Sequence, residues 1–309
     1  MDELHVLVLN HVPECVAVTE TWLSESQPDE LFEIANYTLF RSDRSDRVGG
    51  GVCLYVHDSC NPEFPDQVRL NGSESLTLYI SDKSVLLLCL YIPPNITSAQ
   101  HKEINENISQ YLDNFLQEKP NIKLIICGDF NDYKTCLFQT NFCCVNRVSD
   151  PTRGNSFLDQ IWISTTLNED YPNSAVIGPP LGNSDHCCVL LRPTTATRTS
   201  QVSEATVFDY RESNIQRFLY TLESLNFHDV YSADDVDLKC TAFSNLFQRA
   251  FANIPKTKVI FTQRDKPWIT PVLKKMIQDR WDAYRTKNWP VFIHLKSKVR
   301  SEIQRAKSS

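Results

Sequence analysis

Glycine is scarce here: 8 residues in a chain of 309 exclude a collagen-like repeat or a glycine-rich spacer protein. Long apolar runs are missing too. The longest, Val85 to Ile92, is eight residues, against the roughly 20 that a membrane-spanning helix needs, so it reads as a buried strand. Residues 1–10 carry acids at Asp2 and Glu3, where a secretory signal carries basic groups. Zinc-type Cys-x-x-Cys spacing is absent, and the eleven cysteines are odd in number, with adjacent pairs at Cys143/Cys144 and Cys187/Cys188. They read as buried thiols of a reducing compartment, not as a disulfide framework. The expectation is an intracellular protein, nuclear or cytoplasmic and not secreted. The Asn-x-Ser/Thr matches at Asn36, Asn71, Asn95 and Asn107 are then chance.

What is present is ordinary globular composition, 41% hydrophobic and 22% charged, over a length that suits a main domain with an appendage. The net charge of −7 hides a split. Residues 256–309 hold fourteen Lys or Arg against four acids, while the rest holds 17 basic and 34 acidic residues. An acidic body suited to cations and a basic tail suited to phosphates follow from that pattern, although a solvated helix face looks the same.

Strand-like runs occupy Cys15 to Thr19, Tyr37 to Phe40, Gly51 to His57, Leu76 to Ile80, Val85 to Ile92, Ile122 to Cys127, Phe157 to Ile163 and Cys187 to Leu191. Ser81 to Ser84 reads as a hairpin turn. Ile104, Ile108, Tyr111, Leu112, Phe115 and Leu116 recur at helical spacing, capped by Thr97 or Ser98 and stopped by Pro120. The expected fold is α+β: a four-layer α/β sandwich of two packed mixed β-sheets with outer helices over residues 1–193. A Thr/Ser-rich linker (194–205) and an all-α basic appendage (206–309) follow. In the appendage, Ile215 to Leu225 and Ala242 to Phe251 read as amphipathic helices. Thr270-Pro271 opens another, whose polar face carries Lys274, Lys275, Arg280 and Arg285.

Three short constellations carry chemistry. Asp129 and Asn131 follow the apolar strand at Ile122 to Cys127, two residues apart, so both can point into one cleft; the same pattern is also that of a plain Asx-turn. Ser184-Asp185-His186 precedes an apolar strand, and an imidazole beside a carboxylate is biased toward its charged form, which suits a phosphate. Glu20 leaves the strand ending at Thr19 and is either a hard-cation ligand or a solvated loop residue. Asp159, inside an apolar strand, requires a partner, and His186 is the obvious one.

In this order the residues resemble the endonuclease/exonuclease/phosphatase superfamily: Glu20, Tyr91 in Tyr91-Ile92-Pro93-Pro94, Asp129 with Asn131, Asp159, and Asp185 with His186. Further motifs resemble the endonuclease portion of a jockey-like non-LTR retrotransposon polyprotein: Glu20-Thr21-Trp22-Leu23, Gly49-Gly50-Gly51-Val52, Asp150-Pro151-Thr152-Arg153-Gly154 and Lys266-Pro267-Trp268. The resemblance spans essentially the whole chain and implies Mg²⁺- or Mn²⁺-dependent phosphodiester hydrolysis that nicks DNA, gripped by its phosphate backbone. Glu20 and Asp185 would serve the metal, and Tyr91 would contact the scissile phosphate. Asp129 would position or deprotonate water, Asn131 would hold a phosphate oxygen, and His186, held by Asp159, would stabilise phosphate charge. No membrane partner is implied. A reverse transcriptase is expected in the full-length parent, since no Tyr-x-Asp-Asp occurs here.

One departure stands out. The family opens with a strand bearing a metal-site Asn, whereas Leu4, Leu7 and Val8 read as the end of the following helix, with Asn10 after it. That strand is expected to be missing, at a cost of roughly 1.5–3 kcal/mol in the metal site. The alternative reading is a catalytically inactive truncated relic that at most binds nucleic acid.

Overall fold

A computed structural model describes residues 2–45, 47–194, 203–209, 211–252, 254–261 and 268–308. In chain order the elements are α1 (Asp2–His11), β1 (Cys15–Thr19), β2 (Tyr37–Ser42), β3 (Val52–His57), β4 (Pro62–Glu63), β5 (Glu74–Ile80) and β6 (Val85–Tyr91). Next come α2 (Ser98–Glu118), β7 (Lys123–Asp129), α3 (Cys136–Thr140), β8 (Cys144–Asn146), β9 (Asp159–Ser164), β10 (Val176–Pro180) and β11 (Cys187–Leu190). The remainder holds β12 (Ser203–Phe208), α4 (Glu212–Glu223), α5 (His228–Ser232), α6 (Val236–Phe251), β13 (Lys256–Phe261), α7 (Pro271–Arg285) and α8 (Trp289–Ser308). Among the described residues no helix is long and apolar enough to cross a membrane.

Two sheets pack face to face, one of three strands ordered β1-β3-β2 and one of six ordered β4-β5-β6-β7-β9-β8. The alternation of side chains along each strand builds the layers. In β3, Val52, Leu54 and Val56 meet Leu76, Leu78, Ile80, Leu87 and Cys89 of the larger sheet, while Cys53 and Tyr55 turn to Val8 of α1 and Ile34. In β6, Leu86, Leu88 and Leu90 face Ile104, Ile108 and Leu112 of α2 instead. Every residue of β3 and β6 is therefore buried, which is why β6, and β3 up to His57, read as unbroken apolar runs. The order α1, small sheet, large sheet, α2 is the four-layer sandwich expected. The two sheets are not both mixed, however: the smaller is antiparallel throughout, and the parallel pair β6–β7 lies in the larger. A parallel pair needs a crossover, and α2 supplies it. Thr97 and Gln100 close a reciprocal cap at its start, and Ser81–Lys83 makes the β5–β6 turn. All eleven cysteines are free thiols.

The chain divides into two compact units, Met1–Arg198 with Asp265–Ser309, and Thr199–Arg264. This partition differs from the expected one, because 268–308 pack with the start of the chain. The apolar stripes of α7 and α8 need cover and find it in α1: Val6, Leu9, Ile269, Leu273, Ile277, Val299 and Ile303 form one buried cluster. Arg280, expected on a polar face, is 1% exposed and donates to Glu3 at 2.8 Å. Asn10 lies within the last turn of α1, not after it.

The second unit is not wholly helical. Its helices α4 and α6 share a cluster of aromatic rings, with Phe218 4.8 Å from Phe251. Alongside them β12 and β13 form an antiparallel ladder from Ser203↔Phe261 to Phe208↔Lys256. The short β-branched tracts Thr206-Val207 and Val259-Ile260 favour a strand there. Of the expected linker, residues 195–202 lie outside the described residues, as do Lys266 and Pro267.

Candidate functional site

Strand register builds the centre of the site. β7 runs between β6 and β9, so its last residue, Asp129, has Tyr91 as neighbour on one side and Asp159 on the other. Gly128 makes the close approach possible: a Cβ there would lie 1.9 Å from the Leu90 carbonyl oxygen. Beyond the strand, Phe130 is fully buried and donates its N–H to Leu158 O at 2.9 Å, which anchors the turn. Asn131 follows at φ +44°, a conformation that asparagine tolerates. Its backbone N–H donates to Asp129 Oδ1 at 3.1 Å and its Nδ2 to Ile92 O at 2.9 Å. The Asx-turn and the cleft arrangement thus coexist.

His186 reaches the same place from the bend that leads into β11. Its Nδ1 lies 2.9 Å from Asp159 Oδ2, the partnership expected from a carboxylate in an apolar strand. The hydrogen bond that Nδ1 donates to Asp159 raises the His186 pKa above its ordinary value, against partial burial that lowers it. Asp129 is pushed up to about 6, first by burial and then by the negative charge of Asp159, with Glu20 adding to it. Ligand atoms of Asp129, Asp159 and His186 all lie within 4.8 Å of one another.

Glu20 and Trp22 both have positive φ, 55° and 56°, in a loop pinned by Thr21 N–H to Gly51 O and Trp22 N–H to Gly50 O. The Tyr91 hydroxyl donates to Glu20 Oε1, and Trp22 Nε1 donates to Glu20 Oε2 at 2.7 Å. Burial, then the hydrogen bond and charge of Glu20, raise the Tyr91 pKa and keep the phenol protonated. The donor set fits a hard cation: the carboxylates of Glu20 and Asp129 offer oxygen, and Asp129 lies among acids whose repulsion an ion would relieve.

Asp185 is not gathered into this cluster. Its side chain is 66% exposed and sits 2.6 Å from an Arg153 Nη. Its carboxyl is held below the usual range: slight desolvation pushes up, but the Arg153 guanidinium outweighs it.

Two positioning residues escaped the sequence reading. Thr152, fully buried, accepts with its carbonyl from Cys187 N–H at 2.7 Å and with Oγ1 from Asp159 N–H at 3.0 Å. It ties the strands of His186 and Asp159 together. Arg153 orients Asp185 in the same way. Both lie in the Asp150 to Gly154 motif, which signalled a resemblance without roles.

No family model and no curated protein matches the chain. Among solved structures it is similar to truncated TDP2 from Caenorhabditis elegans, at 13% identity over 60% of this chain and 87% of that one, TM-score 0.46. It is also similar to NExo, a 3′ phosphatase from Neisseria bound to product DNA hairpin, at 13% identity over 62% and 93%, TM-score 0.49. A third is the human Nocturnin catalytic domain with bound sulfate anion, at 15% identity over 60% and 84%, TM-score 0.43.

Proposed function

We propose that the chain hydrolyses phosphodiester bonds with a divalent metal ion, nicking DNA as the endonuclease portion of a jockey-like non-LTR retrotransposon polyprotein whose parent also carries a reverse transcriptase. One observation carries the reading. Tyr91, Asp129 and Asp159 stand side by side across three strands, with His186 bonded to the last and Glu20 to the first. Asp159 orients the imidazole and favours its charged form, leaving Nε2 to donate to a phosphate oxygen. Asp129, with a carboxyl near 6, is ionised at neutral pH yet basic enough to take a proton from water. Asn131 Nδ2 keeps a second N–H to donate to a phosphate oxygen, while the Tyr91 hydroxyl, whose one proton goes to Glu20, holds that carboxylate beside the phosphate. Glu20 would hold the cation, Mg²⁺ or Mn²⁺, which when bound would neutralise charge on the phosphate. Lys275, Arg285, Lys296, Lys298 and Arg300 are exposed on α7 and α8 and offer contacts to a DNA backbone.

The test is supercoiled plasmid incubated with the full chain and Mg²⁺. Nicked circles are expected, and His186→Ala and Asp129→Asn each lower the rate by about 10²–10³. Wild-type nicking no greater than that of His186→Ala would overturn the reading and leave the alternative, a relic that at most binds nucleic acid.

A further inference from the structure

Two motifs singled out in the sequence, Glu20-Thr21-Trp22-Leu23 and Gly49-Gly50-Gly51-Val52, meet beside Tyr91. Glu20 is exposed, and an exposed glutamate is ordinarily free to turn among its rotamers. Here both carboxylate oxygens are taken: Oε1 accepts from the Tyr91 hydroxyl, and Oε2 accepts from Trp22 Nε1 at 2.7 Å. Trp22 is 63% exposed, so burial does not explain where its ring lies. Its backbone, at φ +56°, is in a conformation costly for a bulky side chain, and such strain persists only where the surroundings impose it.

The glycine motif imposes it. Gly50 O accepts the Trp22 N–H at 2.9 Å and Gly51 O accepts the Thr21 N–H at 3.3 Å, while the indole lies 3.6 Å from where a Gly49 Cβ would be. At Gly50, φ +73°, a Cβ would lie 2.3 Å from Arg44 Cζ. That guanidinium cannot withdraw without leaving Glu74, on which it forks at 2.5 and 2.7 Å, and it lies 5.5 Å over the Tyr91 ring. One glycine turn therefore pins Trp22 directly and packs on the arginine that covers Tyr91. Both donors to Glu20 are fixed from the same place.

A carboxylate with one fixed donor on each oxygen keeps lone pairs for a cation and loses the freedom to swing away from it; hydrogen bonds of this kind behind a ligand set metal affinity. We propose that Trp22 is a positioning residue for the divalent-cation site: its indole N–H, together with the Tyr91 hydroxyl, holds the Glu20 carboxylate in the orientation that receives Mg²⁺ or Mn²⁺. The inference rests on the metal role given to Glu20 in the reading above, and it gives Trp22 and the glycine motif a part in that site.

Cation binding is read without DNA, from the loss of the free Mn²⁺ electron paramagnetic resonance signal as the full chain is titrated in. Trp22→Phe keeps an aromatic ring and removes the N–H donor. Trp22→Gly removes ring and donor together but suits the positive φ, so it is expected to melt close to the wild type. Each variant is expected to weaken Mn²⁺ binding about 10–100-fold, with Glu20→Gln as the control for the site. In a ¹H–¹⁵N spectrum, the indole cross-peak missing from Trp22→Phe is expected to move as Mg²⁺ is added to the wild type and to stay still in Glu20→Gln. Unchanged or tighter Mn²⁺ binding in either Trp22 variant, or an indole resonance indifferent to Mg²⁺, overturns the proposal even where the wild-type chain nicks DNA. So does a loss of affinity in Trp22→Gly that is matched by a loss of melting temperature, since Trp22 would then only support the fold. Binding that depends on Trp22 in a chain that never nicks supports the proposal and refutes the hydrolase reading. A chain that takes up no Mn²⁺ overturns both.

Discussion

The pair Arg280–Glu3 joins residues 277 positions apart and is almost sealed from water, with side chains 2% and 11% exposed. Substituting Arg280→Met removes one charge and leaves the other buried. The missing attraction, plus the desolvation of an orphaned carboxylate, puts the cost at about 3–5 kcal/mol. For a folding unit of this size each kcal/mol lowers Tm by about 2–4 °C, so the drop should be about 6–20 °C. Replacing both partners, Glu3→Leu with Arg280→Met, removes the orphan and should recover most of the loss, since a buried pair and an apolar pair of like volume differ little. Thermal melts of the wild type, both single variants and the double variant complete the cycle. A single-variant cost below about 1 kcal/mol, or strict additivity in the double, would refute the claim that α7 is bound to α1 through this pair.

Other outcomes follow from the site. Because the His186 pKa is raised by Asp159, the pair stabilises the fold fully below the ordinary histidine range, about 6.5, and loses that contribution as pH climbs through the raised value. Asp159→Asn should lower the imidazole titration seen by NMR and abolish that pH-dependent stability; an unmoved titration contradicts it. Thr152→Val leaves the Asp159 N–H without the acceptor it has now, at about 1–3 kcal/mol in denaturant melts, whereas Thr152→Ser should be nearly silent. Reversing Lys296, Lys298 and Arg300 to glutamate should flatten the salt dependence of DNA binding by about one unit of slope for each phosphate no longer neutralised; an unchanged slope would clear those side chains of any role at the DNA backbone.

What the sequence reveals, and what it hides, divides along the range of the interactions. β3, β6, β7 and α2 are legible because each is decided by its own periodicity and end signals. The His186–Asp159 partnership is legible for a different reason: an acid in an apolar strand must be compensated, and few candidates exist. β10 is obscured by Pro179 and Pro180, which argue against a strand wherever a central ladder is assumed, but it is one half of a two-stranded pair with β11 and tolerates them. Arg280 sits among other basic residues of a helix and looks solvated. Only its distant partner Glu3 makes burial tolerable, and no local pattern carries that information. Thr152 is hidden in the same way, since its positioning bonds run to backbone groups whose direction composition does not encode.

The same long-range interactions bear on the site. The turn from β10 to β11 delivers His186, and it is held from several sides. Glu3 Oε2, which already accepts from Arg280, also accepts the Gly182 N–H at 3.1 Å. Tyr284 of α7 places its hydroxyl 2.9 Å from Cys187 Sγ, one residue past the histidine. Trp281 packs so closely on Gly178 that a Cβ there would lie 2.2 Å from the indole. A displacement of about 1 Å in a reacting group can cost about 10²-fold in rate. Helix α7, which on charge alone reads as a tail for phosphates, is therefore also part of the frame that aims the imidazole. Loosening it should slow nicking at temperatures where the fold itself still stands.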